Sequence, residues 1–355
     1  MKPATLNSLP PCAALERHLW LLIDSRVFGG IESHVLQLAQ GLQQHQQSVV
    51  VVILRRYQSD TPLLQKLIET DIPFCILADA VPQCSLNQAL LAALRHYQPH
   101  LVHAHGYKAS LLSRLAVKRS GLPIRQFTTY HAGETPVGRV KLYDWCDRYT
   151  AFLSHHSFSV SNDIARKVPF HTTRLNNFVD TDKLTFKHGE QIAFVGRLSP
   201  EKGPDRMITI AASLPDMMFD VYGDGVCYTD LVAQSPSNIR WHGHQTHMHT
   251  VWPNVGVLIL CSRAEGLPLA ALEAMAQGIL VIASPVGELP TLIQHGVNGF
   301  LADSEQAFCD VLQHWQTLPQ TKQQALRLAA RESVLAHYSS SAVIPQLLTH
   351  YQKPI

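Results

Sequence analysis

Residues 262–300 read SRAEGLPLAALEAMAQGILVIASPVGELPTLIQHGVNGF, and this run decides the fold. Glu265 and Glu273 are separated by seven residues. The first stands just before Gly266-Leu267-Pro268, and the second falls in the short apolar helix that follows. Pro268 suits the first turn of that helix, where its missing N–H costs nothing, and Gly278 suits its close. Ile279 to Ala283 is then a short apolar run of the buried-strand type. The pattern yields a loop carboxylate, a helix N-terminus with free N–H groups, and a second carboxylate two turns on. A helix N-terminus attracts phosphate, and paired carboxylates suit sugar hydroxyls. Glu273 interrupts an apolar face made by Leu269, Leu272 and Ala276, so it is either exposed or held in a site. The bare spacing also fits an ordinary solvated helix; the rest of the chain decides between them.

Working outward, 355 residues exceed the usual size of one hydrophobic core, so two domains are expected. Charged residues make up only 16% of the chain against 46% hydrophobic, which points to a well-buried α/β protein. A net charge of +2 is too mild to argue nucleic-acid binding. Seven dispersed cysteines without paired metal spacing suit a reducing compartment. No apolar run approaches membrane-spanning length, and Met1 to Glu16 lacks the apolar core of a signal peptide. It reads as a flexible leader (residues 1–17) on a cytoplasmic protein.

Apolar runs alternate with helical patterns, the βαβ rhythm of parallel sheets. Expected strands in the first half are Leu19–Ile23, Val49–Leu54, Phe74–Leu77, Leu101–His103, Gln126–Thr129 and Ser157–Val160. Helices fall between them, for example Glu32–Gln43, Leu86–His96 and Ser110–Lys118. A polar stretch near residues 179–189 reads as the connection between domains 18–178 and 190–337. The second alternation gives strands Ile192–Val195, Phe219–Tyr222, Ile239–His242, Val257–Leu260 and Leu280–Ala283. Two helices between Glu305 and His337 and a last apolar helix, Ala342 to Tyr351 within 338–355, end the chain.

Several strand ends carry chemistry. After Ile192–Val195 come Gly196, Arg197 and Lys202, ahead of a helix starting near Pro204. Two cations beside a helix N-terminus can neutralise a diphosphate, although loop charges of this kind are commonly just solvated. After Leu19–Ile23, Gly29-Gly30 lets the backbone approach a ligand closely. The motif is not a dinucleotide fingerprint, because a third glycine at the right distance is missing. His131 follows the strand Gln126–Thr129, and His103 and His105 sit in LVHAHGY near another strand end, where they are candidates to line an acceptor site. Tyr222-Gly223-Asp224-Gly225 is a glycine turn, and His242-Gly243-His244 ends a further strand. His242, His244, His247 and His249 look like a metal site, yet they span a strand end, a loop and a helix start without a cysteine, which argues against zinc. Asp180 and Asp182 imitate a metal-binding DxD but fall in the connection.

The string 262–300, with GRLSPEK at 196–202, Gly29-Gly30 and the strand-end motifs, resembles glycosyltransferase family 4 (group 1) over nearly the whole chain from His18. The resemblance implies the GT-B fold: two Rossmann-like α/β/α domains facing across a cleft, with the final helix crossing back to the first. It implies a retaining enzyme that uses a nucleotide-diphosphate sugar as co-substrate, UDP-linked by expectation, and needs no metal or other cofactor. Catalytic roles pass to His131, Glu265, Arg197 and Lys202. Donor binding passes to Gly29, Gly30, Gly196, Arg197, Lys202, Gly223, His244, Glu265, Gly266, Leu267 and Glu273. The acceptor is expected to be a glycan or lipid-linked molecule of cell-surface polysaccharide or lipopolysaccharide synthesis. A basic edge, Lys108, Arg114, Lys118, Arg119 and Arg125, suits peripheral contact with an anionic membrane as well as plain solvation. Three departures from the family pattern bear on the site: Ala132-Gly133 after His131, Val226 in place of proline, and Glu288 with Thr291 in the last part. Backbone N–H groups around Val286–Leu289 remain candidates to hold the sugar or phosphate. Two rival readings share the architecture, a sugar-nucleotide epimerase and a non-catalytic nucleotide-sugar binding protein.

Overall fold

Runs such as LWLLI and VVVVI have no polar face, so each must be covered on both sides, as happens in a parallel sheet flanked by helices. The computed structural model describes residues 13–352 apart from 17, 27, 58–61, 82–83 and 132–137. It contains two such sheets, and the chain divides into two compact units. Unit 1 comprises residues 1–176 with 343–355, and unit 2 comprises Asn177–Ala342.

The strands of unit 1 are β1 (Leu19–Ile23), β2 (Val49–Ile53), β3 (Phe74–Ile76), β4 (Leu101–His105), β5 (Arg125–Tyr130), β6 (His156–Ser159) and β7 (Thr173–Arg174). They lie in the order β3-β2-β1-β4-β5-β6-β7 with every pairing parallel. Helices connect them, and their starts follow local chemistry. Ser85 caps the helix Leu86–Tyr97 and pairs reciprocally with Gln88, while Ser161 caps Asn162–Lys167. One core packs Trp20, Leu22, Val50, Val52 and Val102 against Leu90, Leu94 and Ala116 of the helices.

Unit 2 holds β8 (Gln191–Val195), β9 (Phe219–Tyr222), β10 (Ile239–Gly243), β11 (Val255–Leu260), β12 (Leu280–Ala283) and β13 (Phe300–Leu301), in the order β10-β9-β8-β11-β12-β13, again all parallel. A core lies on each face of the sheet: Leu258, Leu272, Met275 and Val334 on one, Phe194, Phe219, Ile259 and Phe308 on the other. Residues 177–189 are built into this unit. Phe178 and Val179 are fully buried, the Val179 N–H donates to Tyr338 O at 2.9 Å, and the Lys187 N–H donates to Gln277 O at 2.8 Å.

The last helix, Ser340–Gln352, returns to unit 1. The Tyr351 hydroxyl lies 2.5 Å from His103 Nδ1, and its ring stands edge-on to Phe127 with centroids 5.3 Å apart. Arg125 donates to the Tyr351 carbonyl. Of the segment read as a leader, residues 13–16 form a short 3-10 turn with Leu15 buried, whose carbonyl accepts from Trp20 Nε1. The remainder lies outside the described residues. No described helix is long and apolar enough to cross a membrane.

Candidate active site

In unit 2 the strand order reverses between β8 and β11, and open parallel sheets bind ligands beyond the carboxyl ends of their strands at such a point. The loop leaving β8 runs through a 3-10 turn, Pro200–Lys202, and the loop leaving β11 carries Ser262 and Glu265. Gly203, at φ +65°, lets them touch: a Cβ there would stand 2.3 Å from Cys261 O. Any side chain would push the loops apart and would also strain the backbone. Gly203→Ala is therefore expected to cost more than about 1 kcal/mol. A urea midpoint equal to wild type would show that the loop has room to yield. Arg206 braces the same junction, donating to Glu305 at 2.6 Å and to Ser284 Oγ at 3.1 Å.

At this junction Lys202 Nζ lies 2.8 and 2.7 Å from the two carboxylate oxygens of Glu265, and Ser262 Oγ donates to Oε1 at 2.7 Å. The Glu265 side chain is only 5% exposed, whereas Lys202 is 24% exposed. The carboxylate is thus fixed from below by the protein, and the ammonium stands between it and solvent. An ammonium has three donors, so Lys202 can satisfy Glu265 and still offer one outward. Arg197 is 64% exposed and lies 4.0 Å from Glu201, an exposed pair of little energetic weight. Gly287, at φ +58°, brings the following loop against this one, where a Cβ would meet Glu265 O at 2.2 Å. The Glu288 N–H donates to Gly266 O at 2.9 Å, locking the two loops.

Gly196 and Gly223 tie strand ends together: the Gly196 N–H donates to Tyr222 O at 3.0 Å and the Gly223 N–H to Gly243 O at 2.8 Å. Leu267 is buried, and its carbonyl accepts from Asn177 Nδ2 at 2.8 Å. The helix Leu269–Ala276 takes Pro268 as its N-cap, so the proline stands just before the first turn instead of within it. Glu273 is half-buried and accepts from Trp252 Nε1 at 3.2 Å. It borders a groove of about 250 Å³ with Lys183, Lys187 and His249. His244 is exposed beyond β10.

In unit 1 the order reverses between β1 and β4. Beyond β1, Gly29 caps the helix Gly30–Gln44, its N–H donating to Glu32 Oε2 at 3.0 Å. A Cβ at Gly30 would meet no described atom within 4 Å, so packing among the described residues does not explain this glycine. His105 ends β4 and His131 follows β5; His105 Nδ1 and His131 Nε2 are 3.0 Å apart. The His34 ring from the helix stands 4.6 Å from the His131 ring. Burial and the neighbouring imidazoles hold His103, His105 and His131 well below the usual histidine range, so at neutral pH these rings are uncharged.

Two family models match this chain: "Glycosyltransferase Family 4" over residues 28–183 and "Glycosyl transferases group 1" over residues 179–333. Between them they span both units. The chain belongs to glycosyltransferase family 4. Among curated relatives, D-inositol 3-phosphate glycosyltransferase of Mycolicibacterium vanbaalenii is 25% identical over 273 residues, covering 62% of this chain and 60% of that protein. The UDP-Gal:alpha-D-GlcNAc-diphosphoundecaprenol alpha-1,3-galactosyltransferase of Escherichia coli is 26% identical over 252 residues, covering 61% of this chain and 65% of that protein. The match thus spans 60 to 65% of the length of these relatives. Among solved structures, HepE of Anabaena in complex with UDP and glucose superposes with a TM-score of 0.80 at 15% identity, covering 95% of this chain and 100% of that one. At that identity the likeness speaks for the fold.

Set against the family 4 expectations, several assignments change. His103 is not at a strand end but inside β4. It is fully buried, with one ring nitrogen on Tyr351 and the other on Thr129 Oγ1 at 2.7 Å, and so supports the last helix instead of facing an acceptor. The basic edge is reduced to Lys118 and Arg119, which are exposed. Arg114 is buried on Asp147 at 2.8 Å, Lys108 is held by Asp24 at 2.7 Å and Tyr57 at 2.8 Å, and Arg125 is turned to Tyr351. A helix periodicity cannot reveal acids that arrive from distant parts of the chain. The N–H groups of Val286, Glu288 and Leu289 are already given to carbonyls of Ser284, Gly266 and Val286. His242 is committed to Asp220 at 2.7 Å and stacks on Tyr222. Asp180 accepts from the Asp182 N–H and pairs with Lys183, closing a local turn. Ala132-Gly133 lies outside the described residues. Two members of the site went unread. Ser262 opens the deciding string three residues before Glu265, and His34 hides at an apolar position of the helix after Gly29-Gly30.

Proposed function

We propose that this protein is a retaining, metal-independent glycosyltransferase that moves a sugar from a nucleotide-diphosphate sugar to a glycan or lipid-linked acceptor. The observation that carries this reading is the Lys202–Glu265 pair at the reversal point of the unit 2 sheet. On donor binding Lys202 turns to the diphosphate, and Glu265, fixed by Ser262, accepts from sugar hydroxyls. Arg197, exposed in its loop, supplies a second positive charge. Glu273 serves the ribose, with Gly196, Gly223, His244, Gly266 and Leu267 shaping the nucleotide side. From unit 1, Gly29 and Gly30 give room for the phosphates, and His131 meets the sugar near its reacting carbon.

The acceptor oxygen forms its bond to the anomeric carbon on the face that the diphosphate leaves. The C–O bond to the diphosphate breaks with its electron pair, and the acceptor proton passes to the departing phosphate oxygen. Cationic side chains and helix N-termini take the role of a divalent ion in stabilising that charge. A UDP-linked donor is supported by the relative named for UDP-Gal and by the structure holding UDP. The same relative, named for a sugar carried on diphosphoundecaprenol, supports a lipid-diphosphate-linked acceptor.

A thermal-shift screen of UDP-, GDP- and ADP-sugars, followed by mass analysis of products, tests the reading. A UDP-sugar is expected to raise the melting temperature, since a ligand bound only to the folded form stabilises it, and glycosylated acceptor should follow. Conversion of the donor without any acceptor would indicate an epimerase instead. Binding without transfer or hydrolysis would indicate a silent module. EDTA is expected to leave the transfer rate undiminished; a loss restored by Mg²⁺ would overturn metal independence.

A further inference from the structure

We propose that His34, His105 and His131 form a site for a divalent transition-metal ion of the zinc class, held by three imidazoles with one position open to solvent or an anion. The three residues come from separate elements: the helix Gly30–Gln44, the end of β4 and the residue after β5. One ring nitrogen from each lies within 4.8 Å of the others, the single such grouping of three histidine, cysteine or acidic residues among the described residues. A tetrahedral zinc–imidazole site, with bonds of about 2.0–2.1 Å, sets its ligand atoms roughly 3.3 Å apart. Side-chain rotations that draw the rings together by at most about 1.5 Å would reach that geometry.

A further observation points to a ligand here. His34 and His105 are almost wholly buried, and the buried Nε2 of His105 has no hydrogen-bond partner among the described residues. A buried imidazole nitrogen left in this way is uncommon and asks for an occupant. His103, packed against His105 with centroids 4.4 Å apart, has both nitrogens engaged by Tyr351 and Thr129. It stiffens the strand that carries His105 and does not compete as a ligand. Nitrogen donors alone favour zinc, copper or nickel over magnesium or calcium.

Zinc at this place would take His131 away from the sugar, so occupancy should inhibit transfer. The inhibition rests on the role given to His131 above; the binding does not, and the two are measured separately. Zn²⁺ is titrated into the full-length chain against a chromogenic chelator, and Co²⁺ is added in parallel to read the visible bands of a four-coordinate site. One ion per chain is expected, with affinity reduced about 100-fold in His105→Gln and in His131→Ala. Each variant is checked for unchanged circular dichroism, and His131, only half-buried, is the substitution least able to disturb the fold. The exposed pair His247 and His249 provides the control. Full retention of binding in His247→Ala/His249→Ala supports the proposal, whereas its loss there would move the site and overturn it. Absence of stoichiometric uptake, or uptake unaffected by His105→Gln and His131→Ala, would also overturn it. Stoichiometric binding through the three histidines without slower transfer would uphold the metal site and contradict the placement of His131 at the sugar.

Discussion

Replacing Lys202 with alanine is expected to lower kcat/KM for sugar transfer by about 100- to 1000-fold, equivalent to roughly 3–4 kcal/mol of transition-state stabilisation. The lost group is the one positive charge of this site that is both held in place and able to reach outward. It lies 2.7 Å from Glu265, beyond which the chain offers the more exposed Arg197. Glu265→Ala should be at least as damaging, because it removes the sugar contact and leaves Lys202 without the carboxylate that aims it. Neither change touches the apolar layers around β8 and β11, so circular dichroism and the melting profile should stay close to wild type. Turnover at the wild-type rate in either variant would exclude these two residues from the chemistry.

Arg114→Ala is expected to destabilise unit 1 by about 3–5 kcal/mol, the usual cost of breaking a buried ion pair from one side. The guanidinium is 1% exposed, and its donors go to the Asp147 carboxylate and carbonyl, Thr150, Ser154, Thr128 and the Tyr130 hydroxyl. Removing it strands a buried carboxylate, since the Asp147 side chain is 5% exposed. A chain of two units need not unfold in one step, so the loss is best followed by hydrogen exchange of peptides from β4 and β5, with β11 as reference. Protection should fall in the first two and hold in the third. A paired change, Arg114→Met with Asp147→Leu, should recover much of the loss, because neither charge is then left alone. A drop below about 1 kcal/mol in the single variant would mean that water reaches this cluster.

These two sites also mark what the sequence made legible. Lys202 and Glu265 could be found because each follows an apolar run that must be a central strand, and loops after central parallel strands carry function. Their direct pairing could not, since it depends on Gly203 letting two loops touch across a sheet. Strands β1 and β12 are readable to the residue because continuous apolar runs have sharp ends. Strand β4 was cut short at His103: histidines read as a strand's end, but here His103 and His105 alternate on one buried face and continue it. For Arg114 the sequence leaves a solvated face and a membrane-facing edge both open, and the buried pair with Asp147 is neither. A cation in a helical pattern looks solvated until its distant acid is known, and Asp147 arrives from a different helix.

The distance from Lys202 Nζ to the nearest diphosphate oxygen, measured in a crystal of the protein with a non-transferable UDP-sugar, tests the central claim most directly. The account predicts a contact of about 2.7–2.9 Å, as for charge-assisted bonds to phosphate, with Glu265 turned to the sugar hydroxyls. A bound nucleotide sugar whose diphosphate lies elsewhere, with Lys202 still closed on Glu265, would contradict it.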